Sequence, residues 1–175
     1  ALGRPGTKAK TASAHLNSAI CCSLTAKYLV FRFYPITKFP DNSAVFIARD
    51  DHTTFGVLHS SFHELWSLKT GTFLCKGNDR RYTPSTTFET IPVPEGLSPS
   101  IPAADDTTDQ RAVIIAAAAK RLNELRENWL NPADLVKRVP EVVEGYPDRI
   151  LPKDDIAAKE LKKRTLTNLY NARPA

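Results

Sequence analysis

The sequence predicts an α+β protein, in which a small, mostly antiparallel sheet with a packed helix is followed by a proline-rich strap and C-terminal helices. Two observations support this fold class. Short runs of β-branched and aromatic residues fill the first half, and one long run of strong helix formers follows a cluster of prolines. At 175 residues the chain can hold one domain and a smaller appendage. We therefore expect a sheet-containing domain at residues 1–92, a linker at 93–107 and a helical extension at 108–175.

Two strands are predicted in the first 50 residues. KYLVFRFY, residues 27–34, and SAVFIARD, residues 43–50, are rich in residue types that favour strands. The segment between them, PITKFPDN, carries two prolines and an Asp-Asn pair, which predicts a loop. The two strands are therefore candidates for a hairpin.

A helix is predicted for the segment that contains GVLHSSFHELW, residues 56–66. The polar residues 50–54 offer side chains that can cap its first turn, and Gly71 is expected to end it. Its apolar residues recur at steps of three and four, which is the spacing of a helix packed on a core. These residues are Phe55, Leu58, Phe62, Leu65 and Trp66.

A second hairpin is predicted around the turn Gly77-Asn78-Asp79, packed beside the first two strands, because β-prone runs surround this turn. These runs are TFLCKGNDRRY and TTFETIPVP. We also expect a Ser/Thr-rich strand, which could bind phosphates but which we expect to be a structural join, at Tyr82, Thr83, Ser85, Thr86, Thr87 and Phe88. Residues 92–102 hold four prolines and one glycine, which is typical of a linker or an extended strap.

Residues 108–130 predict one long amphipathic helix. Residues 131–152 carry four prolines and are expected to run mostly extended. A last helix is predicted to begin at Asp154 and Asp155 and to continue through the basic cluster at 162–164. The predicted apolar stripe of the long helix consists of Ile115, Ala118, Leu122, Leu125 and Trp129.

His59 and His63 lie four residues apart, so on a helix both rings could bind the same cation. The zinc-protease pattern also needs a glutamate directly after the first histidine, and Ser60 occupies that position. No third ligand lies near in the sequence. We expect this helix to be structural and no metal to bind, and a metal-dependent hydrolase that uses His59 and His63 is the less favoured alternative.

Composition and charge indicate which classes of protein this chain can belong to. Cys21, Cys22 and Cys75 form neither a disulfide framework nor a metal knuckle, which favours a cytoplasmic protein. The sequence has no membrane-length apolar run and no signal peptide, so we expect no membrane partner. Residues 1–100 carry 11 basic against 7 acidic residues, which is compatible with a polyanionic partner such as nucleic acid. The absence of methionine indicates a piece of a longer or processed polypeptide.

A resemblance to a known family runs from about residue 26 to the end of the chain, and four segments carry it. They are FIARDDHTTFGVLHSSFHELW, RYTPSTTFETIPVPEGL, RLNELRENWLNP and LKKRTLTNLYNARP. In content and order they resemble the region downstream of the catalytic domain in MmeI-like DNA methyltransferases, the type IIL restriction–modification family. Residues 1–25 match that family less well.

The resemblance implies that residues 1–92 are a target recognition domain, which reads double-stranded DNA, and that residues 108–175 begin the C-terminal helical part. The family's catalytic domain uses S-adenosylmethionine to methylate an adenine amino group. Neither its glycine-rich cofactor motif nor its N-P-P-Y-type motif occurs in this chain, where Asn131-Pro132 continues as Ala133-Asp134. We therefore expect the fragment itself to bind no cofactor and to catalyse nothing. The parent's methyltransferase domain is then a partner, with or without a fused endonuclease.

In that family the residues that set specificity fall just ahead of the segment RYTPSTTFE. Basic and amide side chains are suited to reading base edges, and basic side chains also hold phosphates. The candidate base contacts are Lys76, Asn78, Asp79, Arg80 and Arg81. The candidate phosphate contacts are Lys27, Arg32, Lys38 and Arg49.

Two alternatives stay open at this point. Arg49 could instead form a structural ion pair with Asp50 or Asp51. The chain as a whole could be a protein-interaction module that uses its long helix and has no DNA affinity.

Overall fold

The structure is a computed structural model that describes residues 7–37, 39–74, 79–98 and 108–172. Within these ranges the protein has several helices and small antiparallel sheets, which confirms the predicted α+β class. The chain divides into two compact units, Ala1–Lys120 and Arg121–Ala175. The domain boundaries expected from the sequence stay a prediction, and most of the proline-rich strap lies outside the described residues.

The first unit alternates short strands with helices. Its elements are α1 (Thr7–Ser13), β1 (Ser18–Ser23), β2 (Thr25–Ala26), β3 (Arg32–Pro35), β4 (Ala44–Ile47), α2 (His52–Leu58), α3 (Ser61–Thr70), β5 (Thr72–Leu74), β6 (Asp79–Arg81), α4 (Pro84–Thr87) and the first half of α5 (Gln110–Leu130). The division between the two units falls inside α5.

The first sheet has the order β3-β1-β4, and both outer strands pair antiparallel with β1. The two strands predicted from the sequence are therefore present in shorter form, but they do not pair with each other as a hairpin. β1 separates them, and its side chains are buried on both faces, with Ala19 and Ile20 fully inaccessible to solvent. This central strand lies within residues 1–25, where no element is predicted from the sequence.

The second sheet has the order β2-β6-β5. β5 and β6 pair antiparallel, with Thr72 opposite Arg81 and Phe73 opposite Arg80, so the predicted hairpin is confirmed for its strands. Of the predicted turn, Gly77 and Asn78 lie outside the described residues, and Asp79 is the first residue of β6. The hairpin pairs with the short strand β2 rather than with the first sheet.

The single helix predicted around GVLHSSFHELW is two helices, because the chain caps a new helix at Ser60. Asp51 caps α2, with 2.7 Å between its Oδ1 and the Thr54 nitrogen. Ser60 caps α3, with 3.1 Å between its Oγ and the His63 nitrogen. A second N-cap satisfies amide donors that would otherwise bond within a continuous helix. Gly71 ends α3 as predicted.

The predicted apolar stripe is correct for α2 and wrong for α3. Phe55 and Leu58 of α2 are buried, whereas Phe62 and Leu65 of α3 are 52% and 56% exposed. The buried face of α3 instead carries polar side chains, among them His63, which is fully buried. Polar groups are buried at low cost only where they are hydrogen-bonded, and this condition depends on residues distant in sequence.

The Ser/Thr-rich segment predicted as a strand contains the short helix α4. Pro84 occupies the start of this helix, where its missing N–H costs nothing. The Thr87 hydroxyl is buried and donates to the Thr83 carbonyl, with 2.7 Å between the oxygens. The β-propensity of threonine is therefore overridden by local bonding of its hydroxyl.

The long helix α5 confirms the prediction for residues 108–130, but its buried face is rotated from the predicted stripe. Ala112 and Ala119 are buried in the first unit, whereas Leu125 is 50% exposed. α5 and α2 can approach closely because Ala119 of α5 and Gly56 of α2, which are both small, meet where the helices cross. An added Cβ at Gly56 would lie 2.5 Å from Ile115 Cγ2 and 3.1 Å from Ala119 Cβ.

The second unit contains a hairpin and two short helices after the end of α5. Its elements are β7 (Val136–Val139), β8 (Arg149–Pro152), α6 (Asp155–Leu161) and α7 (Leu166–Asn171). β7 and β8 pair antiparallel, and the single last helix predicted from the sequence is divided in two. The division has a local cause, because Thr165 caps α7 with 3.1 Å between its Oγ1 and the Asn168 nitrogen.

Within the second unit, two cation–aromatic contacts join the last turns of α5 to the residues that follow α6. Arg126, which is 4% exposed, donates from Nη2 to the Tyr170 hydroxyl, and its guanidinium lies 5.3 Å from the centre of that ring. The guanidinium of Arg164 lies 5.0 Å from the Trp129 ring.

No helix among the described residues is both long and apolar enough to cross a membrane.

Candidate nucleic-acid interface

The β2-β6-β5 sheet brings together basic residues from distant segments of the chain. Thr25 pairs with Arg81 and Ala26 pairs with Arg80, and Lys27 follows directly after Ala26. A residue proposed from the sequence as a phosphate contact therefore lies beside two proposed as base contacts. The strand pairing creates this cluster, since more than 50 residues of chain separate its two parts.

The three basic side chains of this cluster differ in exposure. Lys27 and Arg81 are exposed, and Lys27 Nζ lies 5.0 Å from the centre of the Tyr28 ring. The side chain of Arg80 is 24% exposed, and its Nη1 lies 3.7 Å from Glu64 Oε1 on α3. That distance is too long for a hydrogen bond, so Glu64 neutralises Arg80 through space without saturating its donors.

A pocket opens beside this cluster, between the second sheet and α3. It encloses about 270 Å³ of empty space, part of which is open to solvent. Its lining combines two guanidinium groups, two serines and two tyrosines with two apolar side chains. The lining residues are Ser23, Ala26, Tyr28, Leu29, Ser67, Arg80, Arg81 and Tyr82.

A buried hydrogen-bonded chain fixes β6 against α3 behind the pocket. His63 donates from Nδ1 to the Leu58 carbonyl at 2.8 Å, and its Nε2 accepts from the Tyr82 hydroxyl at 3.0 Å. Burial raises the pKa of Tyr82 well above its ordinary value of 10.0, so the phenol keeps the proton that it donates. Burial also lowers the pKa of His63, partly offset by the Leu58 carbonyl. Because Tyr82 directly follows Arg81, these two hydrogen bonds hold Arg80 and Arg81 in position.

The candidate metal pair, His59 and His63, lies in the core of the first unit. His59 donates from Nδ1 to the Phe55 carbonyl at 3.0 Å, and its Nε2 accepts from the Phe31 amide at 3.2 Å. With the two bonds of His63, all four ring nitrogens lie within hydrogen-bond distance of protein groups. A cation shared by the two rings would have to break these bonds. In the described part of the chain, no three His, Cys, Asp or Glu residues converge to hold a metal ion.

Two further phosphate candidates lie in the first sheet rather than the second. Arg32 is exposed on β3, opposite Cys21. Arg49 follows β4 and donates from Nε to Asp51 Oδ2 at 2.6 Å, so the ion-pair alternative considered for this residue is realised. The strand order thus separates Arg32 and Arg49 from the cluster around Arg80.

Other candidates from the sequence cannot be placed in this surface. Lys38, Lys76 and Asn78 lie outside the described residues, and of Asp79 only its backbone place at the start of β6 is described. Their roles stay predictions.

Three polar residues near Arg80 had no predicted role, namely Ser23, Glu64 and Ser67. Ser67 lies one turn after Glu64 on α3, and its hydroxyl donates to the Glu64 carbonyl at 2.8 Å. Nothing in their local sequence indicates a site. Tertiary structure brings them to the arginines: β2, which follows Ser23, pairs with β6, and α3 carries Glu64 and Ser67 to the same pocket.

The basic cluster at 162–164 lies in the second unit and is partly neutralised. Lys163 Nζ lies 3.3 Å from Glu160 Oε2, and Arg164 Nε lies 3.7 Å from Glu160 Oε1. The cluster therefore offers less free charge than its sequence indicates.

No family model, curated protein or solved structure matches this chain.

Proposed function

We propose that this chain recognises double-stranded DNA through the β2-β6-β5 sheet and the β5–β6 hairpin. The observation that carries the proposal is the pairing of β2 with β6, which brings Lys27, the residue after β2, close to Arg80 and Arg81 of β6. Protein–DNA contacts divide into cations that hold phosphates and polar side chains that read base edges. The basic side chains of this surface are Arg80 and Arg81 of β6 and Lys27, which follows β2.

The shape of the hairpin agrees with this role. The major groove of B-form DNA admits a two-stranded β-ribbon, and arginine recognises guanine through two parallel hydrogen bonds. All three residues of β5 are exposed, and Arg81 on β6 is exposed as well. Of the remaining candidate base contacts, Lys76 and Asn78 lie between Leu74 and Asp79 in the sequence, and Asp79 is the first residue of β6.

From the family resemblance we further propose that the chain is part of a DNA adenine methyltransferase that depends on S-adenosylmethionine, with or without a fused endonuclease. The cofactor would bind in a separate methyltransferase domain, with which this chain would act as a recognition module. The chain's own residues would select and hold the DNA and would take no part in methyl transfer.

The test is the affinity of the chain for duplex DNA across a salt series. Neutralising phosphates releases counterions, so affinity falls with salt in proportion to the number of phosphate contacts. We expect replacement of Lys27, Arg80 and Arg81 by glutamine to flatten this dependence. The control replaces Lys120, Arg121 and Lys159 by glutamine, which removes the same charge from exposed helix positions. Equal effects of the two triple variants would argue against a specific DNA surface.

A second candidate function is supported by exposed apolar side chains on α3 and β5. Phe62 and Leu65 are more than half exposed, and Phe73 is 48% exposed. Exposed apolar clusters often mark protein–protein contacts. A protein-interaction module of this kind has no salt-dependent affinity for DNA, so the same salt series separates the two functions.

A further inference from the structure

The pocket between the second sheet and α3 is small and open to solvent. Its empty volume of about 270 Å³ includes space that belongs to the solvent. It can therefore take only a compact group, one that remains attached to something outside.

The charges at the pocket favour an anion. Arg80 and Arg81 both line it, and Ser23 and Ser67 add hydroxyl groups. Arg80 Nη1 is buried from solvent and makes no hydrogen bond to any residue that the structure describes, with Glu64 Oε1 3.7 Å away. A buried donor without an acceptor is costly, and an oxygen of a bound anion would relieve that cost.

We propose that this pocket binds one phosphate group and, resting on the DNA-binding function proposed above, that this phosphate belongs to the DNA backbone. The planar guanidinium of Arg80 presents parallel donors to two phosphate oxygens. Arg81 adds a second positive charge at the pocket mouth. Glu64 acts as a placeholder that keeps Arg80 in position before the phosphate arrives and weakens phosphate binding by repulsion.

The first arm of the test measures DNA affinity against salt for Arg80→Gln, Glu64→Gln and the control Arg121→Gln. Arg121 is exposed on α5, and its only ion pair among the described residues is a surface contact to Glu124 at 3.8 Å. Each phosphate contact contributes about 0.9 to the slope of log affinity against log salt. We expect Arg80→Gln to lower the slope by about one contact and Arg121→Gln to leave it unchanged. Glu64→Gln should raise the affinity several-fold, a gain that misfolding cannot produce.

The second arm titrates the full chain with inorganic phosphate and follows the Arg80 Nε–Hε and Ser67 amide signals by NMR. We expect saturable shifts of both signals in the wild type. The affinity for phosphate, followed at the Ser67 amide, should fall at least tenfold in Arg80→Gln and should rise in Glu64→Gln. A free phosphate as the natural ligand would give saturation in this arm and no DNA affinity in the first, which would overturn the DNA part of both proposals.

The remaining outcomes separate the pocket from the DNA-binding function. If the chain binds DNA but Arg80→Gln leaves the slope at the wild-type value, the phosphate pocket is wrong and the DNA-binding function stands. If neither DNA nor inorganic phosphate binds, both proposals fail.

Discussion

His63 Nε2 accepts a hydrogen bond from the Tyr82 hydroxyl, with 3.0 Å between the two atoms, and both residues are buried. This bond joins α3 to the residue that follows β6, and so links the core of the first unit to the candidate DNA-binding strand. Because both groups are removed from water, loss of either partner leaves a buried polar atom without a bond.

The first prediction concerns the hydroxyl of Tyr82. We expect Tyr82→Phe to lower the free energy of unfolding by about 1–3 kcal/mol, because it leaves the Nε2 acceptor of His63 buried and unsatisfied. Urea unfolding followed by circular dichroism measures this change. Tyr34→Phe is the matched control, since Tyr34 is 38% exposed and its change should stay within about 0.5 kcal/mol. Equal stability of the two variants would contradict a structural role for the bond.

The second prediction is a pH dependence that originates at His63. Its pKa is lowered from 6.5 by burial, partly offset by the bond to Leu58, so the unfolded chain binds this proton at higher pH than the folded chain. The contribution to stability is complete above pH 6.5 and is lost as pH falls from there through the lowered pKa.

Urea unfolding at about pH 8 and about pH 5 tests this sign. The wild-type protein should be less stable at the lower pH. His63→Gln, which cannot take up a proton, should be less stable at the higher pH but should lose less between the two. An identical loss in both proteins would show that the pH dependence arises elsewhere.

The third prediction concerns the close approach of α2 and α5 at Gly56. Replacement of glycine by alanine inside a helix normally stabilises it by about 1 kcal/mol. Here the added methyl group would lie 2.5 Å from Ile115 Cγ2, so we expect Gly56→Ala to destabilise the protein by about 1–3 kcal/mol. In the double variant with Ile115→Ala the loss should be smaller than the sum of the single losses. Additive losses in this mutant cycle would mean that the two residues do not collide.

The fourth prediction concerns Asp51, which caps α2 with one carboxylate oxygen and binds Arg49 with the other. Burial opposes ionisation of this carboxyl, but the bonds from Arg49 and the Thr54 amide outweigh it and lower its pKa below 3.8. Asp51→Asn retains a capping oxygen and should cost less stability than Asp51→Ala, for which we expect a loss of about 1–3 kcal/mol.

Thermal unfolding at neutral pH ranks the wild type and the two Asp51 variants. The advantage of the wild type is complete above pH 3.8 and should fall as pH drops through the lowered pKa. Equal stability of Asp51→Asn and Asp51→Ala would indicate that the cap contributes little.

The fifth prediction tests the second unit through Tyr170. Tyr170→Phe removes the acceptor for buried Arg126 and keeps the aromatic ring beneath its guanidinium. Hydrogen bonds to charged groups contribute about 1.5–3 kcal/mol, so we expect a loss in that range. Tyr170→Ala also removes the ring and should cost more. Urea unfolding measures both, and equal losses would assign the whole effect to the hydrogen bond.

Signals that are local in the sequence predicted their elements well. The long helix at 108–130, the β5–β6 hairpin and the end of α3 at Gly71 follow from helix propensity, turn residues and capping. The sequence missed β1, although the short apolar run at residues 19–22 is compatible with a fully buried strand. Its neighbours on both sides lie elsewhere in the chain, so no local pattern distinguishes it from a buried helical segment.

The sequence by itself determined the α+β class, the clustering of basic residues in the first half and the candidates Arg80 and Arg81. Only the tertiary structure decided which residues act together. The pairing of β2 with β6 placed Lys27 beside the arginines, and the order β3-β1-β4 left Arg32 and Arg49 in another sheet. The physical reason is that propensity and capping act over a few residues, whereas strand order and buried polar bonds depend on partners that are distant in the chain.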